Sequence, residues 1–106
     1  MNKLIRLSVL FFCLIQIPLL AQTISGSISD ETNQSMIGAA VRISGTTIGT
    51  VSDINGKFQL NNVPVGKAVL EFSFVGYSKV VRTIDVVKDK NVDLKIKMTP
   101  NANSLN

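Results

Sequence analysis

At 106 residues, with a formal charge of +4, 45% hydrophobic residues, one cysteine and no histidine, the chain has room for one small domain and excludes several chemistries. Histidine-based triads and the usual zinc sites are ruled out by composition, and a lone cysteine leaves no disulfide to be made within the chain. Subtracting Lys3 and Arg6 of the leader takes the charge from +4 to +2, too mild to point to nucleic acid or an anionic membrane as a partner.

The leader comes first in chain order. Met1 to Arg6 is basic, and Leu7 to Leu20, LSVLFFCLIQIPLL, is an uncharged apolar run. It is shorter than the roughly 20 residues of a comfortable membrane span. A basic start, a short apolar centre and Ala21 at its end read as a secretory signal peptide over residues 1–21, with cleavage expected after Ala21 or Gln22; the alternative is an uncleaved N-terminal anchor. Cys13 leaves with it. Lipidation would need a small residue just before that cysteine, where Phe11 and Phe12 stand. The chain from residue 22 then lacks a disulfide and must be held by its core alone.

Thr23 to Ser29 alternates, with Ile24 and Ile28 on one face and Gly26 between them, where glycine lets another strand approach closely. Asp30 to Ser35 is a polar loop. Ile37 to Leu60, IGAAVRISGTTIGTVSDINGKFQL, reads as three strands joined by two glycine-marked turns. Ala39, Val41 and Ile43 share a face of the first. Gly45 to Gly49 is a turn, and Thr50 to Ser52 the second strand. Asp53-Ile54-Asn55-Gly56 is a turn whose glycine supplies positive φ, and Lys57 to Leu60 a strand with Phe58 and Leu60 inward.

Asn61 to Gly66 is expected to be a loop, since Pro64 cannot donate to a ladder. Ala68 to Phe74 is the most hydrophobic strand, with Leu70, Phe72 and Phe74 facing one way, and Val75-Gly76-Tyr77 a corner. Ser78 to Val87 is a strand of ambiguous register. Val80, Ile84 and Val86 share one parity, Val81, Thr83 and Val87 the other, and a bulge near Arg82 would reconcile them. Lys88 to Asn91 is a charged turn. Val92 to Met98 puts Val92, Leu94, Ile96 and Met98 inward and Asp93, Lys95 and Lys97 outward, the lysines guarding an edge. Thr99 to Asn106 is a polar tail with no expected structural task. About seven strands with glycine-rich turns and no helical pattern imply an all-β sandwich.

Candidate sites are few. Asp53-x-Asn55-Gly56 resembles the start of a calcium loop, but the position for the closing bidentate carboxylate holds Asn61, Asn62 and Val63, so a hairpin turn is expected and no metal ligand. Tyr77 is expected to cap the core at a corner; one tyrosine and no tryptophan make a poor inventory for stacking sugars. Gly45 and Gly49 are spaced for a turn, with no phosphate-loop lysine following. No residue is singled out as catalytic and no cofactor is expected.

In order, Ile24-Ser25-Gly26-Ser27-Ile28, Gly38-Ala39-Ala40-Val41, Gly45-Thr46-Thr47-Ile48-Gly49-Thr50, Ser52-Asp53-Ile54-Asn55-Gly56-Lys57-Phe58 and Phe72-Ser73-Phe74-Val75-Gly76-Tyr77 resemble the carboxypeptidase-regulatory-like domain. The resemblance implies a seven-stranded antiparallel β-sandwich over residues 22–98, similar to the transthyretin-like and starch-binding-like folds, without catalytic residues. After a signal peptide, the G-T-T-x-G-T turn and V-G-Y corner look most like the N-terminal extension of SusC/RagA-type TonB-dependent receptors. That implies a periplasmic accessory domain at the outer membrane, partnered by a receptor plug and barrel or another envelope protein. The sequence ends near where such receptors begin their TonB box, so the expectation is the leading piece of a longer receptor or a shortened relative. The alternative is a free-standing module that binds a glycan or peptide or regulates a peptidase.

Overall fold

The computed structural model describes residues 21–101; the expected signal peptide up to Leu20 and residues 102–106 lie outside the described residues. Seven strands form two sheets. They are β1 (Ala21–Ser29), β2 (Ala40–Ile43), β3 (Gly49–Val51), β4 (Lys57–Pro64), β5 (Gly66–Ser73), β6 (Val80–Val86) and β7 (Val92–Lys97). One sheet runs β4-β1-β7 and the other β3-β2-β5-β6. All pairings are antiparallel except β1 with β7, which is parallel. A chain that starts and finishes its fold on neighbouring strands must cross the sandwich between them.

The alternation along each strand sets the core. Ile24, Ile28, Phe58, Leu60, Ile96 and Met98 from one side meet Val41, Ile43, Ala68, Leu70, Phe72 and Val86 from the other, all buried. Phe58 and Phe72 join the layers edge to face, ring centroids 5.6 Å apart, a geometry that suits the ring quadrupoles. Gly26 makes room for this pair. It lies opposite Phe58, and a Cβ there would stand 2.8 Å from two carbons of the Phe58 ring and collide with the Leu94 carbonyl oxygen.

Four expectations are corrected. First, β4 continues through Asn61 and Asn62 to Pro64 instead of ending in a loop. It is an edge strand, so the absent proline N–H interrupts no central ladder. Second, the bulge lies here and not near Arg82. Gln22 pairs with Val63 and Ile24 with Leu60, so Thr23 faces both Asn61 and Asn62, and Asn62 adopts φ 59°. The extra residue moves the inward parity from Phe58 and Leu60 to Val63, and all three are buried. β5 and β6, by contrast, pair without interruption from Gly66–Val86 to Phe72–Val80. Val80 and Ile84 are half-buried and Val86 buried, while Val81 and Val87 of the other parity face solvent.

Third, Phe74 is not inward; β5 ends at Ser73, and the Phe74 ring lies partly exposed against Tyr77. Fourth, the start of the tail has a task. The Ser78 N–H donates to the Thr99 carbonyl and the Asn101 N–H to the Gly76 carbonyl, each at 2.9 Å, with Tyr77 bridged to Pro100.

Candidate functional site

Two places gather the residues that the sequence marks. The first is the turn after β3. Asp53 Oδ1 accepts the N–H groups of Asn55 and Lys57, each at 2.9 Å. The Gly56 N–H donates to the Asp53 carbonyl and the Asp53 N–H to the Lys57 carbonyl. Gly56 has φ 74°, and its carbonyl accepts the Ile28 N–H at 2.7 Å. The Asp53 oxygen is thus occupied in closing a turn. Among the described residues no group of three or more His, Cys, Asp and Glu gathers as a metal site would need.

Ser52, just before this turn, is a residue that sequence reasoning missed. Among the described residues it is the buried polar side chain of the core, 3% exposed. Its hydroxyl donates to the Met36 carbonyl at 2.6 Å and accepts the Ala39 N–H at 2.9 Å. It ties the irregular segment before β2 to the end of β3. The available signal is position: a small hydroxyl immediately before an aspartate-capped turn, where the backbone needs local acceptors.

The second place is the corner after β5. The Tyr77 N–H donates to the Phe74 carbonyl at 3.0 Å, closing a turn in which Gly76 takes φ 85°. Gly45 stands in the corresponding position of the turn after β2, with φ 78° and the Thr46 N–H donating to Ile43. Gly49 opens β3 opposite Arg42. Tyr77 is half-buried against the core, its ring centroid 5.7 Å from that of Phe74. Burial, with the nearby Glu31 and Asp30 carboxylates, raises the Tyr77 phenol above its ordinary range. The neighbouring surface is apolar. Val75 is 93% exposed, Phe74 36% and Ile37 58%, beside a cleft of about 420 Å³ lined by Gly38, Ala40, Ser73, Phe74 and Val75. The structure brings Gly76 and Tyr77 together at this corner and leaves Gly45, Gly49, Asp53, Asn55 and Gly56 at two separate turns.

The outer face of the four-stranded sheet is ionic. Glu71 meets Arg42 Nε at 3.4 Å and Lys79 Nζ at 3.2 Å, and the Lys79 hydrogen bond leads the causes that hold its carboxyl below the usual range.

A family model, the CarboxypepD_reg-like domain, matches residues 24–106. The chain belongs to this family. Over 73 residues it is 38% identical to the TonB-dependent receptor SusC of Bacteroides thetaiotaomicron, a stretch that makes up 69% of this chain and 7% of the receptor. Among solved structures it is similar to a chain of a type II cohesin–X–dockerin complex from Acetivibrio cellulolyticus. There the identity is 26% and the TM-score 0.59, covering 74% of this chain and 58% of that one. BcpA, the major pilin subunit of Bacillus cereus, shares the fold at 18% identity and TM-score 0.65, covering 80% of this CarboxypepD_reg-like chain and 31% of the pilin. Catechol 1,2 dioxygenase of Acinetobacter radioresistens shares it at 12% identity and TM-score 0.62, covering 83% and 54%.

Proposed function

We propose that this CarboxypepD_reg-like domain is a non-catalytic, periplasmic accessory domain of a TonB-dependent outer-membrane receptor system, exported by residues 1–21 and acting through protein–protein contact or spacing. The observation that carries the receptor association is the 38% identity to SusC. The contact role is supported by the apolar corner: an almost fully exposed Val75 next to the part-exposed Phe74, both lining a cleft, is the kind of surface that soluble domains use for partners. The partner proposed is the receptor's plug or barrel, or another envelope protein. Direct glycan binding is less well supported, because the one tyrosine ring is half-buried and paired with Phe74.

The test places a photo-crosslinking side chain at Val75 in the exported chain within its own cell envelope. Crosslinks to a TonB-dependent receptor, lost when Phe74→Asp accompanies the probe, are the expected result. Crosslinks confined to unrelated soluble proteins, or saturable heat on titration with soluble glycans, would overturn it.

A further inference from the structure

The sandwich has four sheet edges, on β3, β4, β6 and β7, and three of them are blunted. β3 is three residues long. β4 carries the Asn61–Asn62 bulge and ends in Pro64. β7 presents exposed Lys95 and Lys97. Short strands, bulges, prolines and lysines are the usual ways of preventing edge pairing. β6 differs. It has seven residues, unbroken register with β5 and no proline, and five of them, Val80, Val81, Thr83, Ile84 and Val86, are β-branched.

Its two charges decide what can pair with it. Arg82 and Asp85 are both exposed and have no ion-pair or side-chain hydrogen-bond partner among the described residues. Arg82 lies opposite Leu70, and Asp85 opposite Lys67 without forming a salt bridge. Being three residues apart, they point to opposite faces of the sheet. A second copy paired antiparallel about a two-fold axis, with the sandwich faces aligned, would set Arg82 against Val80, Arg82, Ile84 or Val86, never against Asp85. Self-pairing therefore leaves Arg82 without an acid in every register, and a foreign strand need not.

We propose that the β6 edge is a strand-addition site for an extended segment of another protein. Paired antiparallel, that segment carries a basic residue opposite Asp85, an apolar one opposite Ile84, a hydroxyl opposite Thr83 and an acid opposite Arg82. Backbone hydrogen bonds supply attraction, and the two charges supply selection and register. Arg82, on the inward parity of an edge, also rejects apolar strands that lack the acid. This site is separate from the apolar corner, so its failure leaves the Val75 contact standing.

The probe is a capped peptide, Val-Lys-Val-Thr-Glu-Val-Val, titrated into the isotope-labelled full exported chain and followed by amide resonances. Saturable shifts along β6 are expected, with binding weaker by on the order of tenfold when Lys and Glu of the peptide are exchanged. The double variant Arg82→Glu, Asp85→Lys should reverse that preference. It changes only exposed groups, so the fold is retained. Absence of saturable shifts with both peptides, or equal binding of both, would overturn the proposal. So would concentration-dependent dimerisation of the chain alone that shifts the same β6 amides, because the edge would then serve a second copy.

Discussion

Asp30 to Gln34 and Asp53 to Lys57 build the same turn from different residues. In each, an aspartate Oδ1 accepts the N–H groups two and four residues on: Thr32 and Gln34 for Asp30, Asn55 and Lys57 for Asp53. In each, the fourth residue donates to the aspartate carbonyl, and the aspartate N–H donates to the carbonyl of the fifth. The fourth residue is left-handed in both, Asn33 at φ 67° and Gly56 at φ 74°. What differs is the surroundings. Asn33 is exposed, whereas Gly56 is buried, and a Cβ on it would stand 2.6 Å from the Ile28 carbonyl oxygen and 3.0 Å from Ser35 Cβ. The conformation alone tolerates Asn, which visits this region readily; the packing does not. The second turn is therefore a part of the core's end, and the first an attachment on its surface.

Giving both turns the same residue separates conformation from packing. Gly56→Ala should cost about 2–4 kcal/mol, adding left-handed strain to the overlap with Ile28 and Ser35. Asn33→Ala should cost only about 1 kcal/mol, from strain alone. Thermal melts should show the first falling by about 8 °C or more, at roughly 4–8 °C per kcal/mol for a domain of this size. Equal losses for both variants would mean that conformation, and not packing, selects the glycine.

Ser52→Ala should come next. It strands the buried Ala39 N–H and Met36 carbonyl, at about 1–3 kcal/mol, measured by denaturant midpoint. Ser52→Thr would keep the hydroxyl but adds a methyl to a site that is 3% exposed, so a loss is expected there too. If Ser52→Ala is neutral, the segment before β2 is not secured by this side chain.

The sequence makes these two turns partly legible. Asp-x-Asn-Gly announces a hairpin turn because each residue type has a local reason to be there, but Asp30-Glu31-Thr32-Asn33 lacks a glycine and reads only as polar. The same limit applies to the strands. Alternation places Ile24, Val41, Phe58, Leu70, Phe72, Ile96 and Met98 in the core, where they lie. It fails at Asn61–Asn62, because a bulge resets parity without any hydrophobic residue to mark it, and Asn reaches positive φ without the glycine that would flag it. It fails again at Val81 and Val87, apolar residues that face solvent on an edge; parity alone cannot separate an exposed valine from a shifted register. The corner was legible as a corner. That Thr99 to Asn101 pairs with it was not, since the partners are far apart in sequence and held by backbone atoms that carry no residue signature. The charge pattern of β6 is visible in the sequence, but its meaning needs the sheet order, which shows that this strand is an edge.

A smaller effect is expected from pH, at the Asp30 turn. The Thr32 hydroxyl donates to Asp30 Oδ1 at 2.6 Å, and this bond, ahead of the Gln34 and Thr32 N–H groups and the more distant Lys97, holds the Asp30 carboxyl below its ordinary range. A carboxyl whose folded pKa lies below its unfolded one stabilises the fold fully above the unfolded pKa and loses that contribution as pH falls through the folded pKa. Acidification should therefore weaken the Asp30 turn through the acidic side of the ordinary carboxylate range. Asp30→Asn removes the charge, and its stability should change less between neutral and acidic pH than that of the parent chain. Thr32→Val, which deletes the hydroxyl donor without touching the carboxylate, should have the same flattening effect in smaller measure. The measurement is the denaturant midpoint of each chain at pH 7 and pH 3. A parent and Asp30→Asn pair with parallel pH profiles would show that the surface turn contributes nothing that protonation can remove.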